Sequence, residues 1–198
     1  MADATFTHDL FDGIHQGHLQ IPMVIAANRS LDSHLTNGKM FGPMARESRD
    51  GKAATTRTTF RLAIAVTKSI DAPTTTVWNL LTDLSAHSKW NSTLSSIEGK
   101  IALGERLSFK VPEAPGQTFS PKVVAYDEPR SMVWRLNRWP LLVSVRTYRL
   151  TPAPNGSTEF TIDEVFQGLL LPLIAKSFPD FGAMFERTAT DLKAAAEA

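Results

Sequence analysis

Regular alternation of apolar and polar side chains begins at Phe60. Phe60, Leu62, Ile64 and Val66 alternate with Arg61, Ala63, Ala65 and Thr67, the period of a half-buried strand. Asp71 then offers a helix cap. Pro73 suits the first helical turn, where its missing N–H would have no intrahelical partner. Val77, Leu80, Leu81 and Leu84 fall on one side of that helix, and Ser85 can cap a second short helix ending near Trp90. Strand-like segments follow over residues 95–101, 105–112, 118–126, 130–137, 141–151 and 157–167. Gly104, Pro115-Gly116, Glu128-Pro129, Trp139-Pro140 and Pro154-Asn155-Gly156 punctuate them. Such short spacings demand antiparallel hairpins, because parallel pairing needs crossovers of about a dozen residues or more. The pattern ends in a helix over 177–196, with Ser177 as cap, Pro179 and Asp180 in the first turn, and Phe178, Phe181, Phe185, Thr188 and Leu192 as its inward stripe. At 1.5 Å per residue it would span roughly 30 Å, enough to cross a whole sheet. The order is strand, two short helices, six strands and a long helix: an α+β chain with its helices on one face.

Residues 1–57 read differently and are set apart as an N-terminal extension to a domain over 58–198. Phe6, Leu10, Ile14 and His18 recur at helical spacing, predicting a short amphipathic helix begun near Thr5. Beyond Ala27 the chain turns polar and dotted with Asn37-Gly38 and Gly42-Pro43, and the charged stretch from Arg46 to Arg57 reads as a linker. The apolar face of the first helix must be buried somewhere. It can close over a pocket as a lid or pack against a second subunit in a homodimer.

Composition narrows the function. Hydrophobic residues make up 42% of the 198 and charged residues 21%, a balance typical of a globular protein. The formal net charge of +1 lacks the basic footprint a nucleic-acid binder needs to displace counterions from phosphate. Cysteine is absent, which excludes disulfides, thiolate nucleophiles and Cys-ligated metals. The first twenty or so residues carry no Lys or Arg and hold His8, Asp9, Asp12, His15 and His18 where a signal peptide needs an apolar core. The early apolar run Ile21–Ala27 is far short of the ~18 residues of a membrane span. Cytoplasm is the expected compartment, without stable membrane insertion. The sequons at Asn28, Asn91 and Asn155 then read as chance. His15-x-x-His18 has loose metal-ligand spacing but no accompanying carboxylate motif, so no metal is assigned. The chain has no Gly-x-Ser-x-Gly, phosphate-binding loop or dinucleotide fingerprint, and no cofactor is expected.

Several local motifs occur in a telling order. Ile70-Asp71-Ala72-Pro73 precedes Val77-Trp78; Trp90-Asn91 ends the second helix; Met132-x-Trp134 marks a middle strand. Thr158-x-Phe160, Glu164-x-Phe166-x-Gly168 and Leu169-Leu170-Leu171-Pro172 lead into the last helix. Together they resemble the START-related, birch-pollen-allergen-like superfamily in its polyketide cyclase/dehydrase branch, over about residues 58 to 198. Ser92 stands where that family's pattern has proline. The resemblance implies a helix-grip fold, in which a curved, seven-stranded antiparallel sheet wraps around the long C-terminal helix and encloses an apolar pocket. Members include lipid carriers, hormone receptors, cyclases, aromatases and chaperone activators, so the fold alone does not choose among activities.

Strand alternation nominates the residues facing that pocket. In the last strand Thr158, Phe160, Ile162, Glu164 and Phe166 share the more apolar face. In the preceding strand the pattern is ambiguous; the family resemblance turns Tyr148 and Leu150 inward, and Arg146 with them. If Leu150 opposes Phe160 across the hairpin, Arg146 stands directly across from Glu164. A charge facing an apolar interior is costly without a partner, and these two can satisfy each other. The pair either fixes strand register, orients a polar group on a greasy ligand, or moves a proton through Glu164. Trp90, Asn91, Phe109, Met132 and Trp134 are further expected pocket residues, and so are Tyr148, Ile162, Phe166, Phe181 and Phe185. Trp90-Asn91 can equally anchor a helix end, and His87 can sit at the pocket rim or on an exposed helix face. The expectation is binding of a hydrophobic small molecule, such as a lipid, polyketide or terpenoid. Three readings stay open: a non-catalytic carrier, a cofactor-independent cyclase/dehydratase-like lyase or isomerase, and a chaperone-activator-like interaction module.

Overall fold

The computed structural model describes residues 50–198. The amphipathic helix and the histidines read near the N-terminus lie outside the described residues. The elements are β1 (Ala54–Thr58), β2 (Arg61–Ile70), α1 (Thr74–Thr82), a 3-10 turn (Leu84–Ala86), α2 (His87–Trp90), β3 (Ser96–Gly99) and β4 (Leu107–Lys110). After these come β5 (Lys122–Asp127), β6 (Ser131–Arg138), β7 (Leu142–Pro152), β8 (Thr158–Gln167), α3 (Leu171–Ile174) and α4 (Phe181–Ala196).

Six strands form one antiparallel sheet in the order β1-β2-β8-β7-β6-β5, and β3 and β4 pair as a separate hairpin. That hairpin is joined to the chain leading into β5. The Phe109 N–H donates to the Phe119 carbonyl and the Phe119 N–H returns the bond, both at 2.9 Å. A bulge between Val123 and Ala125 adds twist where the sheet must curl. The result is the expected α+β helix-grip architecture, but its strand inventory differs from the seven-stranded expectation. Ala54–Thr58, mostly inside the segment read as linker, pairs outside β2 with Ala54 opposite Ala65. Thr55, Thr56 and Thr58 are exposed, and such a polar edge strand carries no apolar alternation to announce it. Phe60, read as the first inward residue, instead sits exposed in the β1–β2 turn.

Helix boundaries show which side chains cap. The backbone at Pro73 starts α1 without a side-chain cap, whereas the Asp71 N–H donates to Glu197 Oε1 at 2.6 Å. Asp83, not Ser85, caps the 3-10 turn, accepting from the Ser85 N–H at 3.0 Å. The last helix begins at Phe181, with Asp180 accepting from the Ala183 N–H. Its 16 residues make about 24 Å. Residues 171–174, ahead of it, form a separate short helix around Pro172. Met184, Phe185, Thr188, Ala189 and Leu192 give α4 its buried stripe, while its opposite side grips the surrounding chain. Asp191 accepts from both the N–H and hydroxyl of Ser92, Glu186 from the Ala53 N–H, and Arg187 donates to Glu113.

One glycine is demanded by contact. Gly168 has φ 153°, and a Cβ there would stand 2.2 Å from the Leu141 carbonyl oxygen. This close approach locks the exit from β8 against the start of β7. On the outer face of the sheet, Ala63, Ala65 and Val165 form a small apolar cluster beside buried Asp163. Burial pushes the Asp163 carboxyl up to about 6; Arg149 opposes the shift from 3.7 Å, beyond hydrogen-bonding distance and partly in solvent, while the charge of Glu164 adds to it.

A group whose folded pKa exceeds its unfolded value binds more protons in the folded state, so its ionisation costs stability as pH rises from about 4 through about 6. Asp163→Asn removes that penalty. Chemical denaturation should show the variant more stable than the parent at pH 8 by roughly 1–3 kcal/mol, with the gap closing towards pH 4. Gly168→Ala should destabilise at every pH, because the turn must move away from Leu141.

Candidate functional site

The inner face of the sheet divides into two halves. Towards the α1 end, Met132, Tyr148, Leu150, Phe160 and Ile162 pack with Trp78 and Leu81 of α1 and Leu192 of α4 into a continuous core. At the other end the helix does not fill the sheet's curve. A cavity of about 530 Å³ opens there. Its walls come from β4, the overhanging segment 111–121, the facing halves of β6, β7 and β8, and the stretch from Leu170 to Phe181. Its size lies in the range of small-molecule sites.

A charged cluster stands in the cavity wall. Strand register places Arg146 opposite Glu164 and Ser144 opposite Phe166, as Leu150 opposite Phe160 requires. Arg146 donates from Nε and Nη2 to Glu164 Oε2, at 2.8 and 2.6 Å, while the Ser144 hydroxyl donates to Oε1. Both carboxylate oxygens therefore already accept strong hydrogen bonds. Aromatic rings flank the guanidinium: Arg146 Cζ lies 5.6 Å from the Phe109 ring centre and 5.0 Å from that of Phe185, within the range of cation–π attraction. Burial works against the Arg146 charge, but the adjacent Glu164 outweighs it and the pKa rises above its ordinary value. Burial also raises the Tyr148 phenol. The cluster is a fixed, net-neutral polar feature on an apolar wall.

Of the residues nominated from sequence, Arg146, Glu164, Phe109, Trp134, Phe166 and Phe181 line the cavity. Met132, Tyr148, Ile162 and Phe185 do not. They share the inward phase of the strands and helix, but they belong to the solid half of the core. Trp90 and Asn91 also lie away from the cavity. Asn91 Oδ1 accepts from the N–H and hydroxyl of Thr93, and the Thr93 hydroxyl bonds that of Thr188 at 2.9 Å, tying the exit of α2 to α4. Trp90 packs on His87, with ring centres 4.9 Å apart. His87 is buried and neither exposed nor at a rim: its Nε2 bonds the Leu81 carbonyl at 2.9 Å, and burial pushes its pKa below the usual imidazole value.

Sequence reasoning missed Ser144, which shares the Arg146 face but looks like any small polar strand residue. It also missed most of the mouth: Gln117, Phe119, Leu170 and Ile174 line the opening from turns and a short helix, where no periodicity reports direction, and Arg138 lines it from the end of β6. Phe178, read as part of the last helix's inward stripe, lines it from the irregular chain ahead of α4. Among the described residues no group of three or more His, Asp or Glu side chains could hold a metal.

Comparison with known proteins agrees with this architecture. No curated protein matches the chain. Solved structures with the same fold include a hypothetical protein from Helicobacter pylori, 16% identical, TM-score 0.55, covering 68% of this chain and 86% of that one. A START superfamily protein from Mycobacterium smegmatis is 20% identical with TM-score 0.54, covering 68% and 97%. CalU16 from Micromonospora echinospora is 18% identical with TM-score 0.50, covering 72% and 81%. The sequence profile of one family spans residues 61–197, the whole segment from β2 to the end of α4. A helix-grip sheet, a largely apolar cavity wall carrying the Arg146–Glu164 ion pair, and this profile converge: the chain belongs to the polyketide cyclase/dehydrase and lipid transport family.

Proposed function

We propose that the protein binds a hydrophobic small molecule of lipid, polyketide or terpenoid type in the cavity, with Arg146, Glu164 and Ser144 orienting its polar group. The observation that carries this reading is the cavity itself, about 530 Å³ of space in the interior of a family described by cyclisation, dehydration and lipid transport. Apolar walls supply affinity by removing ligand surface from water. The polar cluster supplies orientation, since a ligand group placed against it recovers hydrogen bonds it would otherwise lose.

Carriage is favoured over proton transfer because both oxygens of Glu164 are already engaged by Ser144 and Arg146. A general acid or base needs a free route to the proton it moves. An isomerase or cyclase that works by folding a flexible chain, gaining rate from lost conformational freedom, remains compatible with the same walls. A chaperone-activator-like interaction module would have no use for the open half of the interior.

Two measurements test this. Titration with the neutral fluorophore 1-N-phenylnaphthylamine should saturate in the parent protein. Ser144→Phe, which grows into the cavity, should weaken binding at least about tenfold, or 1.4 kcal/mol, with the fold retained by circular dichroism. Equal binding by both proteins, or none by the parent, would remove the cavity from consideration. Separately, Glu164→Gln strands a buried guanidinium and should cost about 3–5 kcal/mol, whereas the double variant Arg146→Met, Glu164→Leu should recover most of it. Urea melts of the set read both numbers.

A further inference from the structure

The strands β6, β7, β8 and β2 all reach the same edge of the sheet, and their turns carry exposed apolar side chains. Trp139 in the β6–β7 turn is 68% exposed, Leu169 after β8 59%, Leu173 on α3 74% and Phe60 before β2 51%. Backbone bonds hold these turns side by side. The Gly168 N–H donates to the Phe60 carbonyl and the Leu169 N–H to the Pro140 carbonyl, at 3.2 and 3.1 Å. Four large apolar side chains therefore share one edge of a molecule that otherwise exposes, among the described residues, only Leu103 of this kind. Such a concentration is the mark of an interaction surface.

The turns that carry them hold charge of one sign, and Glu113 across the mouth is paired with Arg187. Residues 59–61, 137–142 and 168–177 contain Arg61, Arg138 and Lys176 and no Asp or Glu. The same turns form the cavity mouth: Arg138, Leu141, Leu170 and Ile174 line the opening while their neighbours Trp139, Leu169 and Leu173 point outward. An indole and two leucines beside cationic side chains match the water–hydrocarbon boundary of an anionic bilayer, where aromatic rings sit at headgroup depth and each basic residue gains from the surface potential. No helix of the described residues is long and apolar enough to cross a membrane, so this contact is peripheral.

We infer that this edge docks on the surface of anionic lipid membranes, with Trp139, Leu169 and Leu173 entering the headgroup layer and the cavity mouth facing the bilayer. Docking there lets an apolar ligand pass between bilayer and cavity without crossing open water. The inference rests on the exposed edge and stands independently of what the cavity holds.

The full-length protein should float with vesicles of phosphatidylcholine containing about 30 mol% phosphatidylserine and bind pure phosphatidylcholine much less. Brominated lipid in those vesicles should quench tryptophan emission. The variant Trp139→Ala, Leu169→Ser, Leu173→Ser should lose at least about tenfold in partitioning, and Arg138→Gln, Lys176→Gln should lose most of the phosphatidylserine dependence. All the replaced side chains except that of Arg138 are exposed away from the cavity, so unchanged thermal melts confirm that the fold is intact. Three results overturn the inference: no flotation of the parent with either vesicle, equal flotation of the apolar triple variant, or a concentration-dependent dimer in sedimentation that the triple variant abolishes without any vesicle binding. None of them bears on 1-N-phenylnaphthylamine binding in the cavity.

Discussion

Arg146 and Glu164 are obliged to meet. On a β-hairpin side chains face one way at every second residue, and the register of β7 on β8 sets Leu150 against Phe160, Tyr148 against Ile162 and Arg146 against Glu164. A slip of β8 by one residue would turn Phe160, Ile162 and Glu164 outward, bring Asp163 into the interior and leave Arg146 without its partner. Within the apolar half of the protein neither charge is tolerable alone, and together they form a neutral, doubly hydrogen-bonded unit. Ser144 completes it from the next inward position on the same strand.

The space beside that unit exists because helix and sheet part company there. The buried stripe of α4 fills the concave face beyond Arg146, with Phe185 against the guanidinium and Leu192 deep in the core. Before Phe181 the chain is not a continuation of the helix but a short turn of α3 and an irregular stretch through Phe178. A chain without regular i-to-i+4 packing cannot fill the sheet's curve as closely, and Phe166, Phe178 and Phe181 meet as an aromatic cluster at the cavity wall. Arg187, bonded to Glu113, ties the start of α4 to the overhanging segment on the opposite side of the mouth.

The polar clamps of α4 have a shared physical role. A helix lying across a curved sheet touches it along a narrow stripe, and its remaining surface is free to rotate or lift. Glu186 on Ala53 just before β1, Asp191 on the segment after α2 and Glu197 on the β2–α1 turn hold the helix at three heights by bonding backbone N–H groups. Each of those donors would otherwise look to water. The open end of the cavity is thus bounded by a helix fixed by side-chain clamps and by turns held to one another through backbone bonds.

Much of the fold was legible along the chain. The strands from β2 to β8, the two short helices and the last helix all announced themselves through period-two or helical alternation broken by Pro and Gly, and the Arg146–Glu164 pairing followed once the family resemblance had turned Arg146 inward and Leu150 was set opposite Phe160. The edge strand β1 escaped because its side chains are polar on both faces, and the caps at Asp83 and Asp180 escaped because several polar residues near each helix start could serve. Alternation, with the family resemblance deciding the ambiguous β7, also told which residues point inward: Met132, Tyr148, Ile162 and Phe185 do so as surely as Phe109, Trp134 and Phe166. Whether an inward residue meets another side chain or empty space depends on where α1, α3 and α4 come to rest over the sheet. That is set by contacts between segments more than a hundred residues apart in numbering, such as Asp71 with Glu197 and Ala53 with Glu186. Local patterning carries the direction of a side chain; only tertiary packing decides what stands in front of it.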